Sequence, residues 1–248
     1  MSRSVAIAAA VVLSAIWVPH PARAQSFLDL ESGATFAGYN DVRIPGKGGT
    51  DISFTDDLST DPGAFLRLRC TYRMQDRHNL SLLLAPLRLK AQGTLGSPLL
   101  FEGSEFPAGT ALTGRYRFDS YRLTYRWDFH RRENLRLGFG FTAKIRDASV
   151  EVAGGGQKSI KKNTGFVPIL NFALCWRARP PLSLVLEGDA LAAPQGRAED
   201  VLAGVTYDLH PRLALKAGYR LLEGGADNDQ VYNFALVNYA ALGLIVRL

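Results

Sequence analysis

The sequence predicts an all-β fold, an antiparallel up-and-down transmembrane β-barrel of ten strands, with eight and twelve as the alternative counts. Three observations carry this expectation. Apolar side chains recur at every second position over stretches of about ten residues, the length a tilted strand needs to cross a bilayer. The stretches are joined alternately by short and long connections. No apolar run reaches the roughly eighteen residues of a membrane-spanning helix. The alternation is clearest where Leu135, Leu137, Phe139, Phe141, Ala143 and Ile145 share one face and Arg136, Gly138, Gly140, Thr142, Lys144 and Arg146 share the other. A period of two is a strand. Residues 164–179 repeat it, with Phe166, Pro168, Leu170, Phe172, Leu174 and Trp176 opposite Asn171, Arg177 and Arg179.

The first residues read as a leader. Arg3 makes a positive start, Val5–Val18 is apolar but too short to span a bilayer, and Ala22-Arg23-Ala24 before Gln25 fits a small-x-small cleavage site. Residues 1–24 are therefore predicted to be a cleavable secretory signal peptide, and residues 25–248 the barrel domain. The net charge of +6 includes Arg3 and Arg23 of the leader, so the remainder is only modestly basic and sets no partner by itself. Cys70 and Cys175 fall on opposite faces by parity, which argues against a disulfide. No metal-type spacing of Cys and His occurs, and no cofactor is expected.

Turn signals and alternation together give candidate strands at 27–39, 61–74, 79–92, 113–129, 134–148, 164–179, 182–191, 198–209, 213–223 and 231–248. Gln75–His78, His130–Glu133, Pro180-Pro181 and His210–Arg212 are tight and polar. The segments 40–60, 93–112, 149–163, 192–197 and 224–230 are mostly longer and rich in Gly, Pro and acid. Short periplasmic turns alternating with longer external loops leave both ends of the barrel on the periplasmic side. Tyr72, Trp127, Phe129, Trp176 and Tyr207 lie on the apolar face near short turns, and Phe36, Tyr121, Phe166, Tyr219 and Phe234 lie on it toward the long loops. Two aromatic girdles are the expectation. The competing reading is a soluble barrel with the same faces inverted, which parity alone does not separate.

In the last strand Leu242, Leu244, Val246 and Leu248 alternate to the final residue. Here the chain resembles small bacterial outer-membrane β-barrel proteins as a broad class, without a functional motif of any characterised family. Such strands usually finish with an aromatic; this one finishes with Leu248. The resemblance implies export to the outer membrane of a Gram-negative-type bacterium, contact with outer-membrane lipid and lipopolysaccharide, and handling by the barrel-assembly machinery. A monomer is expected.

With the apolar face toward lipid, the lumen receives a basic set: Arg67, Arg69, Arg73, Arg88, Lys90, Arg122, Arg126, Arg136, Lys144, Arg146, Arg177, Lys216 and Arg220. Asp29, Glu31, Asp128, Glu187, Asp189 and Asp208 are the fewer inward acids. Such charges must be paired or hydrated, so the set is read either as a salt-bridged plug or as an anion path. A second group, Glu187, Asp189, Glu199, Asp200, Glu223, Asp227, Asn228 and Asp229, is placed at the external ends of the last strands as a candidate site for a hard cation, against solvated loops paired with Arg197 or Arg220. Pro45–Gly49 and Gly154–Gly156 read as flexible loop tips, since no helix follows to make a phosphate cradle. Lys158, Lys161 and Lys162 make the third loop basic.

Enzymes of this class mostly use a histidine. His20 falls in the leader, and His78, His130 and His210 fall in tight turns away from the acids, so no Ser-His pair is placed. Basic residues spread over all strands instead of one patch, and export removes the chain from nucleic acid. The expected function is a non-enzymatic barrel with a polar, mostly plugged interior, structural or surface-binding through its external loops. A narrow anion-preferring channel is the second reading and a lipid-modifying enzyme the third.

Overall fold

The computed structural model describes residues 25–194 and 196–248; the predicted leader, 1–24, lies outside the described residues. Ten long strands close into one antiparallel barrel. They are β1 (Gln25–Arg43), β2 (Gly63–Met74), β3 in two pieces (His78–Ala85 and Arg88–Thr94), β4 (Ala111–Arg131) and β5 (Leu135–Gly154). The second half comprises β6 (Gln157–Arg179), β7 (Leu182–Ala193), β8 (Gly196–His210), β9 (Leu213–Asp227) and β10 (Tyr232–Arg247). Each strand pairs with its neighbours in sequence, and β10 pairs back onto β1 from Phe27↔Arg247 to Arg43↔Tyr232. Full closure leaves the barrel without a sheet edge at membrane depth, the condition for crossing lipid with strands. Pro86, which lacks an N–H, marks the break in β3, and both pieces pair with β4.

Every predicted strand overlaps one of these, and the short connections lie where turn chemistry placed them. The external side differs. The segment 149–163 is not a loop: β5 and β6 stay paired up to Gly154↔Gln157. Gly155 and Gly156 make the reversal at φ +57° and +78°, the left-handed pair a two-residue hairpin turn requires. The segments 40–60 and 93–112 are also folded. Ile52–Ser53 pairs with β1, Ser59–Thr60 with the second piece of β3, and Leu99–Phe101 with Ser104–Phe106.

The apolar face points outward. Phe141, Phe166 and Leu242 are 63%, 67% and 67% exposed, and Trp127, Phe129, Trp176 and Tyr207 are exposed on the same face near the short turns. Phe36, Tyr121 and Tyr219 are exposed at the other end of that band. The inverted, soluble arrangement is thereby excluded. Immediately above the upper girdle the outer face turns ionic, with Arg117 bonded to Asp147 at 2.5 Å and Arg88 clasping Asp119. Crossing lipid takes roughly ten tilted residues, so the 23 residues of β6 carry it far beyond the bilayer. Together β4, β5 and β6 form a tall wall on one side, whereas β7 stops after 12 residues.

Above the membrane the packing inverts, and an apolar core fills the mouth. Ile44, Ile52, Phe54, Leu99, Phe101 and Phe106 from the two external segments are at most 1% exposed. They pack against Leu112, Tyr116, Val150 and Val152 of the wall. Backbone bonds hold the segments down: Phe54 N–H donates to Asn40 O at 2.8 Å, Thr50 N–H to Leu100 O at 3.0 Å and Glu102 N–H to Ile44 O at 2.8 Å. Gly114 makes room for them, since a Cβ there would come within 2.7 Å of the Phe54 ring.

This inversion corrects two lumen assignments. Arg88 and Lys90 lie on the outer face, while Leu87, Leu89 and Ala91 are buried inside. The inward-basic rule holds only where lipid is outside; above it the outer face meets water, and charge there needs no partner.

Candidate functional site

Beneath the apolar mouth the lumen is crossed by an ion-pair network. Arg220 of β9, 1% exposed, donates to Glu31 of β1 at 2.8 Å and to Asp200 of β8 at 2.6 Å. Asp200 also meets Arg67 of β2 at 2.9 Å and Arg122 of β4 at 2.5 Å. Arg122 reaches Asp189 of β7 at 2.7 Å, and that carboxylate accepts from Thr142 of β5 at 2.6 Å and Asn171 of β6 at 2.9 Å. Lys216 of β9 bonds Glu31 at 2.9 Å and Asp29, and lies 3.8 Å from Glu187. Arg69 completes the set by bonding Glu187 at 3.0 Å.

Every strand except β3 and β10 contributes a side chain to this network. Its cations are Arg67, Arg69, Arg122, Lys216 and Arg220, and its carboxylates are Asp29, Glu31, Glu187, Asp189 and Asp200; the two groups balance. Mutual pairing is what makes ten charges, seven of them buried and Asp29, Arg69 and Glu187 half-buried, tolerable here, because a buried one alone would cost several kcal/mol on leaving water. Inward parity places these side chains in one layer because strand tilt and stagger bring residues far apart in sequence to the same height.

A second, basic layer lies toward the short turns. Asp128, fully buried, is 3.3 Å from Arg126 and 3.8 Å from Arg136. Arg73 donates to Asn79 at 2.9 Å and stacks over the Phe27 ring at 4.5 Å. Arg177, also inward by parity, is exposed at the rim. On the external side of the network Lys144 stands over the Phe118 ring at 4.8 Å, and Arg146 bonds Asn163.

The acids proposed as an external cation site do not assemble. Glu187, Asp189 and Asp200 are inside the lumen, already matched by Arg and Lys. Glu199 and Glu223 face each other across β8 and β9, but Glu223 is bonded by Arg197 at 2.8 Å and by the Tyr39 hydroxyl. Asp227 and Asp229 are exposed at the β9–β10 turn. Asp200 was misplaced because β8 enters the membrane region one residue after Glu199, so neighbouring acids point to opposite sides. Among the described residues, Asp29, Glu31 and Glu187 are the acids close enough to share an ion, and the Lys216 ammonium already lies among them. Cys70 and Cys175 are free, on opposite faces as parity required. His78, His130 and His210 lie at the short-turn end, with His78 Nδ1 2.8 Å from the Tyr125 hydroxyl.

What sequence reasoning missed is the apolar lining of the mouth. Tyr116, Phe118, Val150, Leu222 and Val237 all point inward there. A signal existed: Tyr116 and Phe118 alternate with Arg115 and Arg117 in the opposite phase from Tyr121 to Trp127.

No family model and no curated protein matches the chain. Solved structures do. The chain is similar to the outer membrane protease OmpT from Escherichia coli at 8% identity, covering 90% of this chain and 97% of that one with a TM-score of 0.54. It is also similar to Ail, the attachment invasion locus protein of Yersinia pestis, at 13% identity over 90% and 99% of the two chains, with a TM-score of 0.41. An outer membrane channel from Pseudomonas putida F1 is 10% identical over 93% and 100%, with a TM-score of 0.43. At these identities the likeness concerns the fold. With a lipid-facing apolar belt, ten strands closed on themselves and a polar lumen, the chain has the fold of small outer-membrane β-barrel proteins.

Proposed function

We propose that the protein is a non-conducting, non-enzymatic barrel that serves the cell surface through what it holds above the bilayer, as a structural or surface-binding element. The observation that carries this reading is the Arg220 clamp. A guanidinium that bridges Glu31 and Asp200 across the lumen, with Arg67 and Arg122 behind it, stands at a level that every solute would have to pass. The apolar mouth lies in series with it. A wall formed by β4, β5 and β6, with Lys162 exposed toward its tip and Arg115 and Lys158 sharing Glu151 beside it, then presents a net basic surface to anionic groups outside the cell, lipopolysaccharide among them. Export through the leader and insertion by the barrel-assembly machinery belong to the same reading.

The test is ion conductance of the folded protein in planar bilayers under a KCl gradient. Silence from protein that heat-modified gel mobility shows to be inserted is the expected result. Steady openings would overturn the reading in favour of an anion-preferring channel, with reversal potential reporting the excess of Arg73, Arg126 and Arg136 in the lower layer.

A further inference from the structure

The wall of the barrel is incomplete at one place. β5 and β6 are paired from Leu135↔Trp176 up to the turn at Gly154↔Gln157, but β6 and β7 pair only from Leu170↔Ala190 downward. Beyond that level β6 continues through Pro168, Val167 and Phe166 with no partner on its β7 side, among the described residues. Pro168 has no amide hydrogen to offer a neighbour. β7 turns back into β8 after Ala193. A notch results between the tall wall and the low β7–β8 hairpin. Its height is set by Phe166, whose β5 partner Ile145 pairs in turn with Tyr121 of the upper girdle. The notch therefore opens at the outer leaflet's interface.

Behind it lies a cavity of about 480 Å³, within the size range of small-molecule sites. Its lining combines inward residues, such as Val167, Leu191 and Val237, with the outward-facing Phe166, Pro168 and Arg197. A cavity lined from both faces of the sheet passes through the wall. Tyr116, Phe118 and Leu222 make its inner surface mainly apolar, and Ile44 of the mouth segment covers it. At its floor is Lys144, 3% exposed, whose ammonium sits over the Phe118 ring. Among the described residues no carboxylate lies within 4 Å of that nitrogen, unlike the five cations of the network below. A desolvated ammonium facing an apolar chamber is half of an ion pair.

We infer that this chamber binds an apolar molecule ending in one anionic group, admitted sideways from the outer leaflet through the β6–β7 notch, with its carboxylate or phosphate against Lys144 and its hydrocarbon part between Phe118, Leu191 and Val237. The route spares the ligand the ion-pair network, so a barrel that conducts no ions still takes up a lipid-soluble anion. Binding is read independently of conductance, and failure of one leaves the other standing.

The experiment uses the protein in phospholipid nanodiscs and 11-(dansylamino)undecanoic acid as probe, with its methyl ester as the neutral control. Saturable dansyl enhancement by the acid, at least tenfold weaker for the ester, is expected. Lys144→Met is expected to abolish that preference while leaving heat-modified mobility native. Leu191→Trp, which fills the chamber without touching the charge, is expected to reduce binding of acid and ester alike. For the route, Val167→Trp narrows the notch and is expected to slow loading from the membrane at least fivefold. Equal binding of acid and ester, an unaltered preference in Lys144→Met, or loss of neither ligand in folded Leu191→Trp would overturn the site. Undiminished loading in Val167→Trp would overturn the lateral route.

Discussion

Replacing Arg220 by Met measures how much the lumen network holds the barrel together. The substitution keeps volume and apolar stem and removes only the guanidinium, which bonds Glu31 at 2.8 Å and Asp200 at 2.6 Å. Removing one partner of a buried ion pair typically costs about 3–5 kcal/mol, because the other charge is left without compensation. Here neither carboxylate is abandoned: Glu31 keeps Lys216 at 2.9 Å, and Asp200 keeps Arg67 at 2.9 Å and Arg122 at 2.5 Å. The expected loss is therefore at the lower end, about 3 kcal/mol. Asp200→Asn is the sharper cut, since it leaves Arg67, Arg122 and Arg220 each short of a partner, and about 5 kcal/mol is expected. The assay is reversible urea unfolding from phospholipid vesicles, followed by fluorescence of Trp127 and Trp176, which face lipid and lose that environment on extraction. A double-mutant cycle with Glu31→Gln is expected to give a coupling of about 1–2 kcal/mol. A loss under about 1 kcal/mol for Arg220→Met, or additivity in the cycle, would show that lumen water compensates these charges and that the network is not a structural clamp.

Two further outcomes test the layers on either side. Leu123→Arg places a charge midway in the lipid-facing band, between Tyr121 and Tyr125, and is expected to cost about 2–4 kcal/mol in vesicles, with little effect in detergent that can hydrate it. Phe54→Ala removes a ring that is 1% exposed in the mouth and costs about 3–5 kcal/mol locally. Its measurement is protease cleavage within 44–62 on intact cells, expected to rise while urea unfolding of the barrel itself stays unchanged.

The strands and their in-out phase within the membrane were legible because both follow from local alternation. Arg67, Arg69, Arg122, Lys216 and Arg220 are inward as parity required. Their partners were not legible. Arg67 meets Asp200 across 133 positions of sequence, and which inward acid reaches which inward base depends on strand stagger around the closed barrel, a quantity no single strand carries. The mouth was missed for another reason. Below Asp119 the strand's binary pattern is apolar toward lipid, whereas above it the same strand obeys the opposite rule, apolar toward a core. The change of phase between Phe118 and Tyr121 is visible in the sequence, yet it looks like an ordinary irregularity until an apolar partner such as Phe54 is known to sit opposite. The notch between β6 and β7 was similarly hidden, since both strands alternate well and only the length difference between them separates the wall.

The charge balance of the lumen bears on how the barrel finds its register. A strand that slips by one position turns its apolar face inward and is rejected by lipid, but a slip of two preserves every inward and outward assignment. Alternation is blind to that error. The network is not: displacing β8 by two residues so that Leu202 takes the place of Asp200 leaves Asp200 opposite Gly224, two positions further from Arg220. Because the five carboxylates and five cations come from six strands, such a slip in any of them draws charges out of their native pairs in a low-dielectric lumen. The ion pairs thus act as a check digit on closure, distinguishing the native stagger from the near-copies that hydrophobic patterning alone would accept.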